Sequence, residues 1–147
     1  MEIYTDGGCS GNPGPGGWAY IIVENGKQSA EKWGAEEDTT NNRMELMGII
    51  SALESLKAAD KVSGELMVYT DSEYVQKGIT QWIKAWKAKN WRTSARKPVK
   101  NQDLWQRLDS LAVSFPLKWI WVKGHAGNFW NERCDALTQK AIEYIRK

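Results

Sequence analysis

The chain is short of cysteine, proline and histidine: two, four and one in 147 residues. Cys9 and Cys134 form no CxxC pair, which leaves a disulfide framework unsupported and argues against structural zinc. Such sparing use fits a reducing, cytoplasmic setting. No apolar run approaches the ~20 residues of a membrane span, so no membrane association is expected. The N-terminus enters a strand pattern with no basic stretch ahead of an apolar one, which argues against a secretory signal. No Gly-Lys-Ser/Thr follows the early glycines, so a P-loop is not supported. Acids are missing over one long interval, between Glu73 and Asp103. That interval holds Lys77, Lys84, Lys87, Lys89, Arg92, Arg96, Lys97 and Lys100. Net charge is only +2. The distribution of charge, rather than its sum, therefore suggests a polyanionic partner.

The length favours one domain, residues 1–147, with one sizeable core. Ile3–Cys9 reads as a strand, and the stretch Gly7–Gly17, with six glycines and two prolines, reads as turn or loop. Trp18–Val23 and Gln28–Gly34 read as strands joined by the turn Glu24-Asn25-Gly26-Lys27. A helix follows, capped by Thr39, Thr40 or Asn41, with Leu46, Ile49, Ile50, Leu53 and Leu56 on its apolar stripe. Leu66–Tyr69 is a short strand. Tyr74–Lys89 reads as helix with a break near Gly78, and Asn90–Lys100 as a basic loop. Leu104, Leu108 and Leu111 mark another helix, Lys118–Val122 a fifth strand, Lys123–Asn128 a loop and Asn131–Arg146 a closing helix. The pattern predicts an α/β fold with a mixed sheet.

Four acids stand in separate motifs on apolar or small-residue backgrounds. They are Asp6 in Thr5-Asp6-Gly7, Glu45 in Asn42-Arg43-Met44-Glu45, Asp71 in Thr70-Asp71-Ser72, and Asp135 in Arg133-Cys134-Asp135. Acids so placed are costly unless something positive joins them. Hard oxygen ligands suit magnesium or manganese, and two such ions would serve phosphodiester hydrolysis without a Ser/His/Asp triad or a thiol nucleophile. Ligands collect beyond the carboxyl ends of strands in open α/β sheets, where Asp6 and Asp71 would meet if their strands are neighbours. His125, the lone histidine, has an ordinary pKa of ~6.5, suited to proton transfer near neutrality. Asn12 is the one amide side chain in the glycine-rich stretch. Trp82, Trp86 and Trp91 interleave with Lys84, Lys87, Lys89 and Arg92; Trp82 and Trp86 share a helix face, and at least one of them is expected to serve the core. Rings among cations also fit a nucleic-acid groove.

With those residues in view, the chain resembles a type 1 ribonuclease H of the bacterial ribonuclease HI group. Further matching segments are Gly11-Asn12-Pro13-Gly14-Pro15-Gly16-Gly17, Thr39-Thr40-Asn41-Asn42-Arg43-Met44-Glu45-Leu46, Gly78-Ile79-Thr80-Gln81-Trp82-Ile83, Lys97-Pro98-Val99-Lys100-Asn101, and Trp121-Val122-Lys123-Gly124-His125-Ala126-Gly127. They cover nearly the whole chain. The resemblance implies a ribonuclease H-like fold, a mixed five-stranded sheet flanked by helices. It implies cleavage of the RNA strand of an RNA–DNA hybrid, to 5′-phosphate and 3′-hydroxyl ends, by a monomer using Mg²⁺ or Mn²⁺. Asp6, Glu45, Asp71 and Asp135 would be the metal-binding carboxylates, and His125 would assist proton transfer or product release. Asn12, Asn41 and Asn42 would meet the hybrid near its minor groove, and Thr40 a DNA phosphate. Trp82, Trp86, Lys87, Lys89 and Trp91 would belong to a basic handle. Phe129-Trp130 and Glu73 depart from many relatives. A DNA exonuclease or strand transferase on the same fold, and a non-catalytic hybrid-binding module, are the competing readings.

Overall fold

The computed structural model describes residues 1–60, 64–122 and 128–146. The predicted loop's residues 123–127, with His125, lie outside that set. Five strands form one mixed sheet in the order β3-β2-β1-β4-β5. The strands are β1 (Glu2–Cys9), β2 (Gly14–Glu24), β3 (Lys27–Thr39), β4 (Leu66–Thr70) and β5 (Leu117–Trp121). The first three are antiparallel; β1 with β4, and β4 with β5, run parallel.

Alternation along β1 and β2 divides the side chains between two cores. Ile3, Trp18, Tyr20 and Ile22 join α1 (Asn41–Ala59) and α4 (Gln102–Ala112) on one face. Tyr4, Ala19, Ile21 and Val23 meet Cys134 of α5 (Phe129–Arg146) on the other. Both faces are covered, which is why β2 reads as an unbroken apolar run. The turn between β2 and β3 carries Asn25 at φ 52° and Gly26 at φ 79°, the left-handed pair that a tight hairpin requires. Thr40 caps α1, its Oγ1 accepting from the Arg43 N–H at 3.3 Å.

Two expectations need correction. The Gly7–Gly17 stretch is mostly strand: Gly8 pairs with Gly17 and Cys9 with Gly16, leaving only Ser10–Pro13 as connection. Its glycines answer to packing as much as to turning. A Cβ on Gly7 would run into the backbone of Met44 and Glu45, and one on Gly17 into Ala141. The third strand also continues past Gly34 to Thr39, because the glycine-rich start of β2 is there to pair with it.

The helical stretch after β4 contains the expected irregularity. It runs as α2 (Glu73–Lys77), a π-helical turn (Gly78–Trp82) and α3 (Ile83–Ala88). The Ile83 N–H bonds to the Gly78 carbonyl, five residues back, as a π turn does. Gly78 is buried against the Trp105 indole, which fills the space of a Cβ. Gly78→Ala is therefore expected to cost about 1–3 kcal/mol of stability through overpacking, measured by urea denaturation.

Candidate active site

The pairing of β1 with β4 sets two acids side by side. Tyr4 is in register with Tyr69. Two residues further along each strand come Asp6 and Asp71, on the same face of the pleat. Asp71 stands just past the end of β4, where the chain turns into α2; the Ser72 N–H bonds to Thr70 Oγ1 at 3.2 Å and Ser72 Oγ accepts from the Val75 N–H at 3.1 Å. Glu45 arrives from α1. It can do so because Gly7 has no side chain and lets the helix backbone lie against β1. The Gly7 N–H donates to the Glu45 carboxylate.

One carboxylate oxygen from each of Asp6, Glu45 and Asp71 lies within 4.8 Å of the other two. Glu45 Oε2 is buried without a hydrogen-bond partner among the described residues. Burial pushes the Glu45 carboxyl well above the usual carboxylate range, and the charges of Asp6 and Asp71 push it further. Three carboxylate oxygens at this spacing, one of them from a largely buried acid, make a hard-oxygen set that fits a divalent cation. Asp135 does not belong to this tight group among the described residues. It does share the neighbourhood: the buried Cys134 thiol is held protonated by burial and then by Asp6, Glu45, Asp135 and Asp71. The structure thus brings three of the four acids to ligand spacing and keeps the fourth nearby on α5.

The other expected residues lie on two surfaces. Asn12 Oδ1 accepts from the Asn41 N–H at 3.2 Å, which fastens the β1–β2 connection to the start of α1. Asn12 and Asn41 are exposed and Thr40 and Asn42 half-buried, four polar side chains around one helix N-terminus. Trp82, Trp86 and Trp91 form a row of rings with centroids 5.7 and 6.2 Å apart. Trp86 and Trp91 also pack against the core, Trp86 edge-on to Trp105 at 5.5 Å. A groove of about 340 Å³ opens here, lined by Tyr74, Trp82, Trp86, Thr93, Val99 and Lys100. Lys89 is exposed, and Lys87 pairs with Asp109 at 3.3 Å, a surface contact weak enough to exchange.

Sequence reasoning passed over Arg43. Its guanidinium grips Asp103 through two bonds of 2.8 and 3.0 Å and donates to Asn101 Oδ1 at 3.2 Å. Asn101 in turn donates to the Tyr74 hydroxyl at 3.1 Å, as does Trp105 at 2.8 Å. This network ties α1, which bears Glu45, to α2, which follows Asp71. A signal was available: Arg43 sits in the first turn of its helix, against the macrodipole, with no acid three or four residues away.

Three acids gathered on β1, α1 and the end of β4 of a mixed α/β sheet fit an enzyme that works through carboxylates. Residues 1–143 match the RNase H family model. Curated relatives named Ribonuclease H include one from Methylobacillus flagellatus, 57% identical across 99% of this chain and 93% of its own length. Another, from Treponema denticola, is 54% identical across 97% of each. Among solved structures, LC11-RNase H1 in complex with RNA/DNA hybrid superposes with a TM-score of 0.78 at 25% identity, covering 99% of both chains. A type 1 RNase H with the type 2 active-site motif reaches 0.81 at 30% identity, over 97% of this chain and 72% of the other. The chain belongs to the ribonuclease H family. Its fold is the ribonuclease H-like fold and its enzyme class that of a ribonuclease H. Among the described residues, no helix is long and apolar enough to cross a membrane.

The raised Glu45 carboxyl has a thermodynamic consequence. The folded state holds this proton to higher pH than the unfolded chain does, so its contribution to stability is greatest at low pH and is lost as pH rises through the folded pKa. In thermal melts without metal, Glu45→Gln is expected to melt above the parent at neutral pH, by a margin that shrinks as pH falls into the ordinary carboxylate range.

Proposed function

We propose that the protein hydrolyses the RNA strand of RNA–DNA hybrids endonucleolytically, leaving 5′-phosphate and 3′-hydroxyl ends. The observation that carries this reading is the convergence of one carboxylate oxygen each from Asp6, Glu45 and Asp71 to within 4.8 Å of one another. A hybrid-bound neighbour of the same fold supports the choice of substrate.

Asp6, Glu45 and Asp71, with Asp135 as the fourth carboxylate, would hold Mg²⁺, or Mn²⁺ in its place. Such a cation, when bound, lowers the pKa of a water and stabilises charge on the phosphoryl oxygens. The chain's own residues do the rest. Asp6 on β1 and Asp71 just past the end of β4 stand together with Glu45 of α1, where a backbone phosphate can approach. Asn12, Asn41 and Asn42 offer amides to the hybrid's minor groove, where the 2′-hydroxyls distinguish RNA from DNA. Thr40, at the N-terminus of α1 where the helix dipole favours an anion, offers its hydroxyl to a DNA phosphate. Trp82, Trp86 and Trp91 supply apolar ring surface to sugars, while Lys87 and Lys89 meet phosphates. His125 takes up or delivers a proton at the leaving oxygen, or helps release product. The reading extends to one catalytic domain over residues 1–147, acting as a cytoplasmic monomer.

Asp71→Asn is expected to lower Mg²⁺-dependent cleavage by about three orders of magnitude or more, while hybrid binding in a gel-shift assay persists. His125→Ala should lower kcat about 10²-fold, the usual worth of a positioned proton-transfer group. Parallel assays on hybrid, double-stranded RNA and duplex DNA should show cutting of hybrid alone. Full activity of Asp71→Asn, or equal cutting of all three duplexes, would overturn the assignment.

A further inference from the structure

Phe129 and Trp130 open α5, and the chemistry above makes no use of them. Asn128 caps that helix: its Oδ1 accepts from the Asn131 N–H at 3.0 Å and its carbonyl from the Glu132 N–H at 3.0 Å. Phe129 is 66% exposed, whereas Trp130 is half-buried. The Trp130 ring lies 6.4 Å from that of Tyr4, and the Phe129 ring stands edge-on to it at 4.8 Å. Tyr4 stacks on Tyr69 at 4.5 Å with the rings nearly parallel, 9° apart. These two tyrosines each precede an acid of the tight group by two residues, on the face toward α5.

Trp130 and Cys134 are four residues apart and share one face of α5. Both reach Tyr4, the indole its ring, while the Cys134 thiol lies between the carbonyl oxygens of Ala19 at 3.4 Å and Tyr4 at 3.6 Å. Asp135 is the next residue. Asp6, Glu45 and Asp71 are related to one another by strand pairing and by backbone contact at Gly7. The first turns of α5 have side-chain packing instead.

We propose that Trp130 is a positioning residue: by seating the start of α5 on the stacked Tyr4–Tyr69 pair, it sets where the Asp135 carboxylate stands relative to Asp6, Glu45 and Asp71. The proposal rests on the cation-binding reading of that site. Aromatic pairs have preferred geometries that an aliphatic contact lacks, so the ring fixes the helix in angle as well as in height.

The test is calorimetric titration of the full chain with Mg²⁺, alongside steady-state cleavage of a hybrid, for Trp130→Ala, Trp130→Phe and Tyr144→Ala. Tyr144 lies near the far end of α5, edge-on to Trp33 at 5.5 Å, and controls for general loosening of the helix. Loss of a residue that orients a ligand typically costs at least tenfold, so Trp130→Ala is expected to weaken Mg²⁺ binding and lower kcat by about tenfold each, with the KM for hybrid little changed. Trp130→Phe should restore most of both, and Tyr144→Ala should change neither. Should Trp130→Ala fail to fold, Trp130→Leu, which keeps bulk and loses the ring, is read in its place with the same expectations. A lower Tm with unaltered Mg²⁺ affinity and kcat would overturn the proposal, as would a raised KM alone or an equal effect from Tyr144→Ala. If the parent binds Mg²⁺ yet cuts no hybrid, the ribonuclease reading fails, and the positioning claim is decided by calorimetry alone.

Discussion

The contact on which the site depends is the approach of α1 to β1 at Gly7. Helix and strand backbones meet there with no side chain between them. The same residue's N–H reaches the Glu45 carboxylate. Gly48, one turn further along α1, repeats the close approach against the carbonyls of Asp6 and Ala19. Any side chain at Gly7 would lever the helix outward and take Glu45 away from Asp6 and Asp71. Close packing of this kind does not deform smoothly. The acid cluster is therefore a product of the core's geometry rather than a decoration on its surface.

That geometry concentrates negative charge in one place, and the protein keeps positive charge elsewhere. The eight cations from Lys77 to Lys100 fall on the helical extension and its loop. Arg43, the cation nearest Glu45 in sequence, is turned to Asp103 and Asn101. Among the described residues, then, no lysine or arginine lies within hydrogen-bonding distance of Glu45 Oε2. The site retains its demand for a positive partner, while the basic extension offers a separate surface for a polyanion.

Much of this was legible in the sequence. Periodicity located α1 and α4, and the Asn25-Gly26 pair located the β2–β3 hairpin. The acids announced themselves because each sits where an unpaired charge is costly. What stayed hidden has a physical reason. Glycine permits a loop and permits close packing, and a sequence alone does not say which; so Gly14, Gly16 and Gly17 read as turn although they lie in the paired strand β2. The spacing of the fourth acid depends on how α5 sits on the sheet, a tertiary matter of its contacts with Tyr4 and Ala19 rather than of any local pattern. The Arg43–Asp103 grip joins residues far apart in the chain, beyond the reach of helical spacing.

The π-helical turn at Gly78 sets a phase. Each helical residue advances the side-chain direction by roughly 100°, and the wider turn admits one residue more than a regular helix would. Everything beyond it, Trp82 and Trp86 included, is rotated accordingly relative to α2. Wound as a regular helix, the same residues would carry everything after Gly78 forward in phase by about one residue, roughly 100°. The row of rings would swing away from Trp105, and the lysines would point elsewhere. The length of this segment is thus under a constraint that composition does not register, because what it preserves is an angle.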